Sequence, residues 1–401
     1  MSEVANIPQL RFPGFSDEWE ERPLKDVSTF FNGKAYKQAE LLSSGKYPVL
    51  RVGNFFTNNS WYYSNLELDE NKYCDNGDLL YAWSASFGPR IWAGEKVIYH
   101  YHIWKVINHS QVTKKFLFIV LDNETAKMKA QSANGFALLH ITKGTIENWK
   151  INLPTRQEQQ KIAAFLTAVD SKIEKLSKKK ALLGEYKKGL MQQIFSQAIR
   201  FKADDGSAFP VWEEKNIVEL AKTSIGLVTS MTPYYVDKGV PLIRNNDIFQ
   251  NKIRKEKLIR LDYEFDQLNK NRRLFTNDIV TVHTGNIGAS AVIDEELNGC
   301  QGFATLNTRI KNQNEISSSF LCWYYNSTRN IKYALSMATG DGRSNYNLKD
   351  FNKATIPVPS LPEQTKIAAF LTAADNKIEQ VGKQLDESKQ FKKALLQQMF
   401  V

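Results

Sequence analysis

The residues of this chain best suited to chemistry are Arg, Asn, His and Thr, set in loops beside aromatic rings and glycines. Two such loops lie in the first half, Trp83-Ser84-Ala85-Ser86-Phe87-Gly88-Pro89-Arg90 and Ser132-Ala133-Asn134-Gly135-Phe136. Two lie in the second, His283-Thr284-Gly285-Asn286-Ile287-Gly288 and Thr339-Gly340-Asp341-Gly342-Arg343-Ser344-Asn345-Tyr346. Arg and Asn offer the paired geometry that guanine and adenine edges require, and glycine lets backbone approach a phosphate. Candidate nucleic-acid contacts in the first half are therefore Arg51, Asn54, Trp83, Ser84, Ser86, Arg90 and Asn134. In the second half they are Arg244, Asn245, Asn246, His283, Thr284, Asn286, Arg343, Ser344 and Tyr346. Ordinary surface turns favour the same residue types. The correspondence of the loops between the halves is what strengthens the binding reading.

Catalytic signatures are absent from the sequence. There is no Walker A loop, no glycine-rich dinucleotide or methyl-donor loop before a helix, and no Asn-Pro-Pro-aromatic run. Glu185-Tyr186-Lys187 matches part of a nuclease motif, but it falls inside a heptad helix without an acidic partner. His100 and His102 would share one strand face, as a metal pair or as a packed pair. No catalytic residue, metal or cofactor is expected in this chain.

The 401 residues leave room for two or three domains, and a composition that is 42% hydrophobic is globular. A formal charge of +10 favours a polyanionic partner. The longest apolar run, Phe116–Leu121, is too short to span a bilayer. The opening MSEVANIPQLRF lacks the pattern of a signal peptide, and Cys74, Cys300 and Cys322 form no close metal-type pair, so reduced thiols in a cytoplasm are expected.

What must position the loops is a duplicated helix. Glu158–Phe195 and Glu363–Phe400 align without a gap, with about 21 identities in 38 positions. Thr155 to Glu158 and Ser360 to Glu363 each fit a capping box, and each follows a short strand stopped by proline, Ile151 to Pro154 and Ile356 to Pro359. The seam runs through Leu166, Val169, Ile173, Leu176, Lys180, Leu183, Lys187, Leu190 and Ile194. Its copy runs through Leu371, Ala374, Ile378, Val381, Leu385, Ser388, Lys392, Leu395 and Met399. This is a heptad pattern interrupted by polar residues. Each helix would be about 57 Å long. Neither buries its seam alone, and a pseudo-two-fold relation requires the pair to be antiparallel. Lys172, Lys175, Lys178, Lys179 and Lys180 form a basic run, either a solvated face or a phosphate contact. Both helices open with more apolar surface than one seam needs. Ile162, Phe165, Ile367 and Phe370 are therefore candidates for a second contact face, against the parent domain or another protein. Gly184, Gly189 and Gly382 weaken the helices by about 1 kcal/mol each relative to alanine, which suits close packing or a bend.

The expected organisation is a first head at 1–153, a helix at 154–198, a second head at 199–359 and a second helix at 360–401. The heads read as α+β, each with a mixed or antiparallel sheet. Strand-like runs are Tyr47–Val52, Asp78–Trp83, Lys96–Ile107, Val240–Arg244, Asp278–His283 and Ala304–Ile310, with a helix over Ser318–Ser327. Weak matches tie the heads together: Trp19-Glu20-Glu21 with Trp212-Glu213-Glu214, Arg51 to Asn54 with Arg244 to Asp247, and Gly77 to Leu80 with Asn277 to Val280.

The run Ile356–Leu371, its partner Asn152–Leu166, the continuation Asp170 to Glu174 and the opening Leu10-Arg11-Phe12-Pro13-Gly14-Phe15 with Trp19 resemble the conserved regions of type I restriction–modification specificity subunits. The resemblance covers the whole chain. It implies two similar target-recognition domains with two long antiparallel coiled-coil helices, and a non-catalytic bacterial protein that binds a bipartite double-stranded DNA sequence. It also implies two modification (methyltransferase) subunits carrying S-adenosylmethionine, docked on the conserved helices, and two restriction or motor subunits using ATP and Mg. The competing readings are a coiled-coil scaffold for two protein partners, the specificity part of another methyltransferase or nuclease assembly, and an enzyme with an unrecognised site.

Overall fold

In each half, the chain enters and leaves its globular part on one antiparallel strand pair. Glu20–Pro23 pairs with Lys150–Leu153, and Glu213–Asn216 pairs with Thr355–Val358. The computed structural model describes residues 6–56, 58–84, 87–132, 141–339 and 344–400. It divides into two compact units, residues 1–176 with 384–401, and residues 177–383.

The two heads repeat one topology. The first has an antiparallel sheet in the order Ser28–Asn32, Ile103–Asn108, Leu79–Ala82, Gly88–Ile91. The second has Ala221–Ile225, Thr305–Ile310, Ile279–Val282, Ser290–Val292 in the same order. Each head also carries a mixed sheet with one parallel pairing, Tyr47–Leu50 with Val97–Tyr99 and Val240–Arg244 with Gln301–Phe303. The fold class is thus α+β, as the strand spacing implies. One expectation changes: Lys96–Ile107 is not a single strand. It divides into Val97–Tyr99 and Ile103–Asn108, which belong to different sheets, and His100 to His102 form the turn between them. The β-rich run reads as continuous because both pieces are apolar, and local pattern does not reveal a change of sheet.

The long helices cover Arg156–Phe195 and Leu361–Met399. Both start where expected, but the capping boxes do not close. Thr155 Oγ1 accepts from the Glu158 amide at 3.4 Å, while Ser360 Oγ is buried without a partner. The two glutamates turn away from the helix ends to bind arginine. Arg11 forks onto Glu158 at 2.8 and 2.8 Å, and Arg200 onto Glu363 at 3.1 and 2.6 Å. A fully desolvated carboxylate requires a charged, bidentate partner more than a helix start requires a second cap. The next residue docks each helix on its head by the same network. Gln159 accepts from the Thr113 amide and donates to the Gln111 and Pro154 carbonyls, and Gln364 does likewise with Ser317, Glu315 and Pro359. The sequence signal for the arginine was present in both halves, as Leu10-Arg11-Phe12 and Ile199-Arg200-Phe201.

Within each unit the helices run antiparallel. In the second unit, Lys187 pairs with Asp375 at 2.5 Å, and the Lys180 side chain lies over Gly382. Rising numbers on one helix meet falling numbers on the other. In the first unit, Lys392 pairs with Asp170 at 2.7 Å, and Leu395 and Met399 share a core with Ile162, Leu166 and Val169. Asp170 and Asp375 are repeat equivalents, as are Lys187 and Lys392. A parallel pair in register would set Asp beside Asp and Lys beside Lys, so the polar interruptions of the seam select the antiparallel arrangement. Gly382 has a packing role under Lys180, whereas Gly184 and Gly189 face open space.

Reversing one partner tests this pair. Lys187→Asp should cost the second unit about 1 kcal/mol in denaturant unfolding, because the pair is partly exposed. Adding Asp375→Lys should restore most of it. A double variant no better than the single one would show that the pair does not hold the register.

Candidate nucleic-acid interface

In the second head, three of the segments singled out from the sequence converge. The strand Ile279–Val282 ends at His283. The His283 amide donates to Asn245 Oδ1 at 3.2 Å, and its carbonyl accepts from the Tyr346 amide at 3.0 Å. Its ring Nδ1 bonds the Tyr346 carbonyl at 2.7 Å. Thr284 Oγ1 donates to Asn345 Oδ1 at 2.5 Å. Gly288, with φ of +84°, turns this loop back tightly, where an added Cβ would stand 3.0 Å from Ile331. Asn286 and Ser344 are exposed beside the junction. Asn245 also donates to the Ala304 carbonyl at 3.4 Å, so its amide holds the segments together instead of facing outward. Arg244 is half-buried and tied to the buried Asp247 through its amide at 3.0 Å and its guanidinium at 3.2 Å. Asn246 is exposed and gives its carbonyl to Arg254.

The first head has a comparable junction with different side chains. Its strand Leu79–Ala82 ends at Trp83, whose carbonyl accepts from Ile141, as that of His283 accepts from Tyr346. Trp83 stacks on Trp104 and donates Nε1 to the Tyr101 carbonyl at 2.8 Å. His100, Tyr101 and His102 form the neighbouring turn, with ring centroids 3.9 to 4.8 Å apart, and Tyr101 is 38% exposed. The two histidines thus pack on a turn and do not share a strand face. Burial, with His102 and Arg51 nearby, pushes His100 down to about 4, so it is neutral at pH 7. Arg51 lies over Tyr62, and Arg90 over Phe55 and Phe56. Asn54 holds its own loop by donating to the Asn58 and Ser60 carbonyls. Ser84 is half-buried beside Trp83. Ser86, Asn134 and Arg343 lie outside the described residues.

Two sets of sequence candidates change role. The Tyr346 ring is 1% exposed and packs on Phe351, so only its backbone takes part in the junction. Alternation along the chain turns it inward, where its equivalent Ile141 also points. Ile162 and Ile367 are buried in the cores of their own units, so these two side chains serve the parent heads. Phe165 packs edge-on against Phe12, and Phe370, 39% exposed, against Phe201. Asn345 and Tyr101 also belong to the junctions; Asn345 lies in a glycine-rich loop that marks a turn, whereas the pattern around Tyr101 is that of a continuous strand.

Among the described residues, no group of three or more His, Cys, Asp or Glu could hold a metal ion, and no helix is long and apolar enough to cross a membrane. The three cysteines are buried and free. Burial raises their thiols, Cys300 to about 12, which removes them as nucleophiles.

A family model described as the type I restriction modification DNA specificity domain matches this chain twice, over residues 16–183 and 211–388. The EcoBI type I restriction enzyme specificity subunit of Escherichia coli is 22% identical over 372 residues, which are 88% of this chain and 78% of that protein. The MjaVIII specificity subunit of Methanocaldococcus jannaschii is 25% identical over 405 residues, 96% of this chain and 92% of that protein. Among solved structures, the S subunit of a type I restriction–modification system from M. genitalium superimposes with a TM-score of 0.62 at 16% identity, over 98% of this chain and 99% of that one. A chain from a study of complex assembly and conformational transition in a type I system gives 0.57 at 17%, over 97% and 98%. With both halves matched, the chain belongs to the type I restriction–modification DNA specificity family.

Proposed function

We propose that the two heads read the two halves of one bipartite double-stranded DNA site, through the junctions around Trp83 and His283. The role of specificity subunit, without catalysis of its own, follows from family membership. The observation that carries the finer reading is a single backbone arrangement presenting different side chains at equivalent positions, an aromatic cluster in one head and a histidine with amides in the other. A repeated fold with altered reading groups suits two different half-sites, and the net charge of +10 suits phosphate contacts.

The repeated helix openings support docking of two copies of one partner. Ala164, Thr167 and Ala168 are exposed on the first helix, as are their equivalents Ala369, Thr372 and Ala373 on the second. Two modification subunits carrying S-adenosylmethionine would use this recurring small-residue face, and two motor subunits with ATP and Mg would complete the restriction complex in a bacterial cytoplasm.

Exchanging residues 1–150 for the equivalent head of a relative tests the DNA reading. The methylome of cells carrying the chimaera should show one half-site changed, with the other half-site and the gap retained. Simultaneous change of both half-sites would mean that the heads do not read independently.

A further inference from the structure

We infer that His283 is a specificity-determining residue whose ring Nε2 accepts a hydrogen bond from the exocyclic amino group of an adenine or cytosine in the major groove. The inference rests on the reading of the second head as a DNA-reading domain. The Tyr346 carbonyl can only accept, so the ring Nδ1 bonded to it at 2.7 Å must carry the proton. In the neutral ring the lone pair then lies on Nε2, which has no partner among the described residues and does not occur among the buried unpartnered atoms. Major-groove edges present the adenine N6 and cytosine N4 amino groups as donors, the complement of that lone pair.

The ring is also held in place. Its residue ends a strand of the antiparallel sheet, its amide is bonded to Asn245 Oδ1 at 3.2 Å, and its carbonyl is bonded to the Tyr346 amide at 3.0 Å. Three bonds to two separate segments fix both backbone and tautomer, which is what a reading group needs to discriminate between bases. The equivalent position in the first head carries Trp83, whose only polar atom is a donor already bonded to the Tyr101 carbonyl. The heads therefore differ in chemistry at one structural position, and the acceptor belongs to the second head alone.

The experiment uses the full chain assembled with the modification subunits of its source organism, selecting from DNA randomised at both half-sites. The wild-type complex should enrich a bipartite motif. A complex carrying His283→Ala should lose selectivity at one base pair of one half-site and keep it at the remaining positions, which also shows that the head is folded. At that base pair, purine in place of adenine, or pyrimidin-2-one in place of cytosine, should weaken wild-type binding about tenfold and leave the variant unaffected. A variant that keeps selectivity at every position, or loses the whole half-site uniformly, overturns the assignment. So does an analogue that weakens both complexes equally. A wild-type complex that enriches no bipartite motif removes the DNA-reading role itself, a failure recognisable before any variant is compared.

Discussion

Arg200→Ala should destabilise the second unit by about 3–5 kcal/mol, the cost of stranding a buried carboxylate. Glu363 has no solvent exposure, and its oxygens accept from Arg200 at 3.1 and 2.6 Å and from Trp212 Nε1 at 2.9 Å. Without the guanidinium only the neutral indole remains. Arg200 also donates to the Pro210 carbonyl at 2.7 Å, so the connection leaving the first helix loosens with it. For a unit of about 200 residues, this corresponds to a fall in its thermal transition of about 10 °C. Adding Glu363→Gln should recover a large part of the loss, because the uncompensated charge is gone while the indole keeps an acceptor. Arg11→Ala should cost the first unit at least as much. There Glu158 is equally buried, and Trp19 Nε1 has no partner to offer it. Calorimetry resolving the two units would decide the matter, and an Arg200→Ala transition within 2 °C of wild type, on the scale of less than about 1 kcal/mol, would refute the role of the clamp.

Phe195→Ala should cost the second unit a comparable amount, about 3–5 kcal/mol, from lost burial and the cavity left behind. Phe195 is 2% exposed and closes the unit's core, with ring centroids 6.0 Å from Phe320 and 5.5 Å from Tyr324. Its repeat equivalent Phe400 packs on Trp19 at 6.0 Å and Phe116 at 5.9 Å, but is only partly buried. Phe400→Ala should therefore be milder in the first unit, because its surroundings already share the contact with solvent. Equal losses in chemical denaturation of the two variants would contradict this ordering. Phe195→Leu, which retains much of the volume, should recover over half of the alanine effect.

Much of the architecture is legible in the sequence. The duplicated helix, its proline-stopped entry strands and its seam are local patterns, and helix periodicity is a local property. Even the antiparallel pairing was implicit, since Asp170, Asp375, Lys187 and Lys392 repeat at the same phase and would repel in a parallel register. The segments of the candidate interface were legible too, because glycine, Asn and Ser mark turns by conformational preference. Which side chain each segment turns outward was not. Tyr346 and Asn345 are neighbours, yet one is core and the other bonds Thr284, because alternation in extended chain assigns the faces only once a strand partner sets the register.

The sequence by itself therefore determined the duplication, the helix pairing and the α+β character of the heads. The α+β character follows from composition and periodicity within tens of residues, and the duplication and pairing follow from matching two such local patterns along the chain. Only the tertiary structure decided that Glu158 and Glu363 bind arginines instead of capping their helices, and that Ile162 and Ile367 belong to their own heads. It also decided that Asn54 and Asn245 hold loops, and that Trp83 and His283 occupy one equivalent position. Except for Asn54, whose acceptors Asn58 and Ser60 are near in sequence, the deciding partner lies far along the chain or in another strand. A buried charge or amide goes to whichever partner satisfies it at least desolvation cost, and that competition is settled by distance in space, which the order of residues does not contain.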